Sequence, residues 1–141
     1  MSMNEPKVMK PIANEIAKIA HKHQGKTFHK TQARELLLVV GVQNDFCEGG
    51  ALAARDTNSL IEPLNRLIHK AEEAGMQVVF ARDWQPHDHH SFEDWGPHCV
   101  QDTPGAAFHP DLYKPSGTIV IDMGTSNEMD GYTPFQDPVL Q

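Results

Sequence analysis

At 141 residues the chain has room for one hydrophobic core and not for two. Its formal charge of −7, with the twelve Lys and Arg residues scattered along the chain, excludes the basic patch that a nucleic-acid or anionic-membrane surface needs. No apolar run approaches the roughly 20 residues of a membrane helix, and the N-terminus lacks the apolar core of a secretory signal, so a cytoplasmic protein is expected.

Residues 1–34 read as a helical extension ahead of a single α/β domain over 35–141. Ile12, Ile16, Ile19 and Ala20 fall at helical spacing, while Lys18, Lys22 and Lys26 line other faces. His21 and His23, at alternate positions of that helix, do not face one another as a ligand pair would. From Glu35 to Val42 the pattern changes. Leu36, Leu37, Leu38, Val39, Val40 and Val42 make a nearly unbroken apolar run, which predicts a strand buried on both faces of a parallel sheet. The run stops at Gln43-Asn44-Asp45-Phe46-Cys47-Glu48-Gly49-Gly50. In an open parallel sheet such a loop, just beyond the carboxyl end of a strand, lines the ligand crevice, with Glu48 in solvent.

Ser59-Leu60-Ile61-Glu62 has capping-box spacing, and Leu60, Leu64, Leu67, Ile68 and Ala71 then mark one helical face as far as Gly75. Met76 to Ala81 is the next predicted strand, and it delivers Asp83 to the same rim as Asp45. A strand, a helix and a second strand in this order make a right-handed crossover unit, and Gly117 to Asp122 supplies a third parallel strand. A loop from Gly124 to Phe135 follows. So small a sheet leaves apolar edges bare, and self-association or a partner chain covering the open sheet is expected. Cys47 and Cys99 lie far apart in different motifs, which suits a reducing compartment and not a disulfide framework.

The stretch from Ala81 to Pro110 carries five of the nine histidines. Asp83 sits where a hydrophobic strand runs out, and His87, His89, His90 and His98 follow. One carboxylate with several imidazoles is the ligand set of a divalent metal such as zinc, iron or manganese. The other reading of the same residues is a polar, His-rich surface loop. Trp84 and Trp95 flank the cluster and could wall a ring-shaped ligand, although aromatic residues beside a loop more often pack. His109, ahead of Pro110, reads as part of a turn.

The run Leu37 to Leu52, the tetrapeptide after Arg82 (Asp-Trp-Gln-Pro), His89 with Ser91-Phe92, and Pro97-His-Cys through Leu112 together resemble the nicotinamidases of the isochorismatase-like cysteine hydrolases. The resemblance covers roughly residues 36 to 135 and implies the N-terminal portion of that fold: an incomplete doubly wound, Rossmann-like parallel sheet lacking its C-terminal half. It implies hydrolysis of nicotinamide to nicotinate and ammonia, using a Cys nucleophile, an Asp base, a Lys and a metal that positions the pyridine nitrogen.

Carried over position by position, Asp83, His89 and His98 match metal ligands, and Gln85 stands where the family has another histidine. A carboxamide oxygen is a weak, hard substitute for an imidazole, so metal affinity should fall and the choice of metal could drift. His87 or His90 could swing in only with a supporting shell. Gly41 occupies the position of the general base, Met123 that of the lysine, and Asp45 matches a structural aspartate. Phe46 and Trp84 match the substrate pocket. Cys47 and Cys99 match positions other than the nucleophile, which belongs to a later turn.

A thiol without a base is only a few per cent thiolate, and losing members of a catalytic unit removes most of its rate advantage. The expectation is therefore a nicotinamidase-like domain, impaired or inactive, with a residual metal site and affinity for a small pyridine-like ligand. The alternatives are half of a split hydrolase completed by another chain, and a non-catalytic binding or scaffold module.

Overall fold

The computed structural model describes residues 35–136. The helix read for residues 1–34, with His21 and His23, lies outside the described residues.

Three parallel strands form one sheet in the order β1-β2-β3: β1 is Leu36–Val40, β2 is Gln77–Asp83 and β3 is Ile119–Met123. Val39 lies opposite Phe80, Val40 opposite Ala81, Ala81 opposite Ile121 and Asp83 opposite Met123. That register brings Gly41, Asp83 and Met123, all at carboxyl ends of strands, to one rim.

Because side chains alternate along a strand, β2 feeds two cores. Val78 and Phe80 face the helix α1, Asn58–Glu73, and pack with Val39, Ile68, Ala71 and Leu112. Val79 and Ala81 face the other way and pack with Ile121, Met123 and Leu38. Burying one Leu- or Phe-sized side chain contributes about 1.5–3 kcal/mol, and this central strand is buried at four consecutive positions, Val78 to Ala81.

The apolar run around residues 36–42 was expected to give a strand buried on both faces, and in this respect β1 differs. Leu36 and Val40 remain 48% and 46% exposed. The reason is position: β1 has a neighbour on one side only, whereas β2 lies in the middle of the sheet.

The capping box also does not form. The helix starts at Asn58, after Thr57, whose hydroxyl accepts the Glu48 N–H at 3.0 Å instead of capping the helix. Ser59 is inside the first turn and donates to the Asp56 carbonyl at 2.6 Å, while Glu62 pairs with Arg66 at 2.7 Å. The other end follows the expected pattern. Gly75, at φ +72°, lets its own N–H reach Glu72 and the Met76 N–H reach Ala71, both at 2.9 Å, which closes a Schellman motif.

Long connections cover the carboxyl end of the sheet. A 3-10 turn over Asn44–Phe46 follows β1. After β2 come the short helix α2, Phe92–Trp95, and a second 3-10 turn, Pro104–Ala106. Two isolated bridges, Gln43 with Phe108 and Gln85 with Val100, tie these loops to the strand ends. Among the described residues no helix is long and apolar enough to cross a membrane.

Candidate active site at the carboxyl rim of the sheet

Gln43 organises the rim. It is fully buried, and its carboxamide grips the backbone of Asp83 from both sides, accepting the Asp83 N–H at 2.9 Å and donating to the Asp83 carbonyl at 2.7 Å. The same amide group donates to Ala106 at 2.9 Å. One side chain thus joins the ends of β1 and β2 to the Pro104–Ala106 turn. Asp45, next along, accepts the Cys99 N–H at 2.8 Å and the Ala51 N–H at 3.2 Å. Cys99 itself sits in the left-handed region, φ +47°, directly ahead of the bridge between residues 85 and 100.

Asp83, the first candidate ligand, is half-buried, and among the described residues its carboxylate accepts no hydrogen bond. Burial raises its pKa to about 6, and the nearby charge of His98 opposes that shift. His98 donates from Nδ1 to the Gly96 carbonyl at 2.8 Å. The hydrogen bond fixes Nδ1 as a donor and leaves Nε2 without a protein partner among the described residues. Gln85 is 2% exposed, and its Oε1 is buried without a hydrogen-bond partner.

His89 is arranged oppositely. Its Nε2 donates to the Met129 carbonyl at 2.8 Å, and its Nδ1 accepts the Ser91 hydroxyl at 2.7 Å and the Ser91 N–H at 3.2 Å. Both ring nitrogens are committed to protein, which leaves no free lone pair on His89 for a cation. Neither expected substitute replaces it: His90 donates to Asn127 and Asp130, both at 2.7 Å, and His87 is exposed. Among the described residues no group of three or more His, Cys, Asp or Glu side chains could hold a metal ion. A divalent cation does not fit this arrangement of Asp83, His89 and His98, because both nitrogens of one of the two imidazoles are already taken up by Met129 and Ser91.

The remaining expectations divide. Phe46 does border the site: its ring is 5.8 Å from that of His98, and a Cβ on Gly41 would lie 3.7 Å from it. Trp84 is drawn elsewhere. It follows Phe80 and Arg82 in the alternation, opposite to Asp83, and carries the Arg82 guanidinium 3.9 Å over its ring. Arg82 is fixed in turn by Asp122 at 2.6 Å. Trp95 is 44% exposed. His109 closes its turn, donating its N–H to Val42 at 2.9 Å and accepting the Asp111 N–H at 3.1 Å. Phe92 fits between the two imidazoles, 5.8 Å from His89 and 5.5 Å from His98.

At the positions that the resemblance matches to the base and the lysine, Gly41 has φ +71° and donates its N–H to Ala81 at 2.9 Å. Met123 is 6% exposed within the second core. Both thiols are buried. Burial raises the pKa of each, and the Asp83 and Asp45 carboxylates push Cys99 further up.

Comparison with known proteins decides the lineage of this rim. The Isochorismatase domain family matches residues 35–138. The chain belongs to that family. Within it, the chain is 35% identical over 120 residues to the nicotinamidase of Escherichia coli, covering 72% of this chain and 56% of that protein. It is 42% identical over 83 residues to the nicotinamidase/pyrazinamidase of Mycobacterium tuberculosis, covering 54% of this chain and 44% of that one. The crystal structure of the Pyrococcus horikoshii pyrazinamidase in complex with zinc superposes with a TM-score of 0.70 at 37% identity, covering 74% of this chain and 59% of that one. The isochorismatase-family chain described here therefore spans about half the length of the relatives it matches. Its three parallel strands are an incomplete Rossmann-like α/β sheet, as expected.

Four features of the isochorismatase-type rim were not singled out from the sequence: the Gln43 clamp, the Ser91 contact to His89, the Phe92 ring and the segment 124–131. Gln43 carried a signal, a carboxamide directly after an apolar run. The contacts of residues 124–131 have no local pattern, because their partners lie about forty positions earlier.

Proposed function

We propose that this chain is a nicotinamidase-like domain that does not hydrolyse its amide on its own and keeps a remnant of a ring-binding rim. The relatives support the amide hydrolase family, and the observation that carries the loss is Gly41. Amide hydrolysis through a thiol needs a group that accepts the thiol proton as the nucleophile attacks. The residue at the position matching that base has no side chain. The thioether of Met123, where a lysine would bring a positive charge, can neither hold a proton nor stabilise a developing anion. Cys47 and Cys99 do not substitute, since a buried thiol with a raised pKa stays protonated near neutral pH.

What remains is a set of groups suited to binding. Phe46 and Phe92 offer ring faces beside His98, and the Asp83 carboxylate and Gln85 Oε1 are acceptors with no donor among the described residues. A flat aromatic ring that carries an N–H donor, as the carboxamide of a nicotinamide-type amide does, fits that chemistry. The test is ammonia release from nicotinamide by the purified chain. The expected rate equals that of buffer, and release proportional to protein concentration would refute the reading.

A second reading is favoured by the sheet edge. Ile119 and Val120 of β3 are 39% and 40% exposed, and an open apolar edge accepts another strand. In this reading a second polypeptide completes the sheet and supplies nucleophile, base and lysine. It requires a defined companion chain that restores ammonia release on mixing. A mixture as inactive as either part would exclude it.

A further inference from the structure

The sheet has two apolar faces, and the one long helix among the described residues covers a single one of them. Register partners in a parallel sheet send their side chains to the same side, so Leu38, Val79 and Ile119 share a face with Ala81 and Ile121. Helix α1 lies on the other face, against Val78 and Phe80. Even so, Val79 and Ala81 are 2% and 0% exposed, as deep as Phe80 under the helix, while Ile119, Leu36 and Val40 at the margins of their face are exposed. The short α2 sits at the rim beside His89 and His98, and the Pro134–Gln136 turn packs beside β3. A turn of three residues is too short to cover three strands spaced about 4.8 Å apart. A parallel sheet is stable as a layer when both of its faces are covered.

The chain enters β1 from residues 1–34, which lie outside the described residues, and their sequence is of the kind that covers a sheet. Ile12, Ile16, Ile19 and Ala20 recur at helical spacing, Lys18 and Lys22 fall on other faces, and Pro11 and Gly25 stand where a helix starts and stops. At 1.5 Å per residue a helix over 12–24 would be about 20 Å long, close to the roughly 23 Å spanned by the seven residues of β2. The stretch 25–34 reaches up to about 33 Å when extended, enough for the segment to fold back over the sheet it leads into. The α1 face is already filled. The face of Val79 and Ile121 is the apolar surface within reach.

We propose that residues 12–24 dock as an amphipathic helix on the sheet face opposite α1, so that the chain's own N-terminal segment supplies the second layer over β1, β2 and β3. Ile12, Ile16 and Ile19 meet the face around Val79 and Ile121, and Lys18 and Lys22 stay in solvent. A second copy of the chain is the weaker occupant. A segment on a short connection is held at an effective concentration of about millimolar, whereas a copy has to be gathered from solution.

The test uses the full chain with the photo-crosslinking residue benzoylphenylalanine in place of Ile16, mixed in equal parts from isotopically light and heavy preparations. The expected cross-links join residue 16 to peptides from β1, β2 or β3, in light–light and heavy–heavy pairs only. Cross-links to α1 would put the segment on the wrong face, mixed light–heavy pairs would make a second copy the occupant, and none above background would leave the face without this cover; each overturns the proposal. A second arm melts the full chain with Ile12→Asp/Ile16→Asp/Ile19→Asp and with Lys18→Gln/Lys22→Gln. The triple variant is expected to melt about 10 °C below wild type and to bind several-fold more of a dye for apolar surface, and the lysine pair to match wild type. A triple variant that melts with wild type would also overturn the proposal. Should the triple variant fail to fold, the cross-linking arm, with its single apolar replacement, decides the question.

Discussion

The carboxylate of Asp45 and the backbone N–H of Cys99, separated by 54 positions in the chain, meet at 2.8 Å and fasten the loop after β1 to the turn that carries His98. Gly105 is shaped around the same carboxylate, since a Cβ there would lie 2.1 Å from Asp45 Oδ2. Asp45→Ala should cost about 1–3 kcal/mol of unfolding free energy, the range for hydrogen bonds to a charged group. Gly105→Ala should also destabilise, and by less when Asp45 is already alanine, because the colliding carboxylate is gone. A double-mutant cycle by urea unfolding measures the coupling. Strict additivity would mean that the two positions do not press on each other.

Asp83 makes stability depend on pH. Burial raises its folded pKa to about 6 from an ordinary 3.8. A raised carboxyl pKa means that the unfolded chain ionises first. The penalty is absent below about pH 3.8, grows through the interval and is complete above about pH 6. Asp83→Asn should therefore stabilise the chain by about 2 kcal/mol at pH 8 and have little effect at pH 4. Thermal melts at the two pH values check the sign. A variant that melts lower than wild type at pH 8 would show that the carboxylate is held by a partner and not merely desolvated.

Restoring single family residues should fail, for different physical reasons at each position. Gly41 sits at φ +71°, where an L-residue costs about 1–2 kcal/mol, so Gly41→Asp is expected to destabilise by that amount. Met123 is packed between Val79, Ala81 and Ile121, and Met123→Lys puts an ammonium among them at a cost of about 2–4 kcal/mol. Neither variant is expected to release ammonia. Melting temperature and an ammonia assay on each test both halves of the statement.

Cys47 and Cys99 are 4% and 0% exposed, and burial raises the pKa of each. Both should resist thiol-directed reagents in the folded chain and react at the rate of unfolding. Labelling followed by mass measurement reports this, and rapid labelling of native Cys99 would remove the basis for treating it as inert.

How far the sequence foretold this structure depends on where each signal resides. β2 and β3 were legible because their apolar runs are continuous, and the C-terminus of α1 because Gly75 is the residue its geometry demands. The start of α1 was misread, since Ser59 and Glu62 have capping spacing but their side chains find Asp56 and Arg66. At the site, Asp83, His98 and Phe46 were named from strand ends and motif resemblance, and the ring of Phe46 lies 5.8 Å from that of His98. The state of His89 was not foreseeable, because its partner is the backbone carbonyl of Met129, and a carbonyl leaves no mark in sequence. Trp84 was placed at the pocket by motif, whereas strand alternation turns it toward Arg82.

The central claim is that this rim keeps binding groups and lacks the chemistry that breaks an amide. The most direct measurement is ammonia release from nicotinamide, with and without added zinc, by the chain alone beside a complete nicotinamidase at equal molarity. The account predicts a rate indistinguishable from buffer in both conditions. Release that scales with the amount of chain and disappears in Asp83→Ala would contradict it.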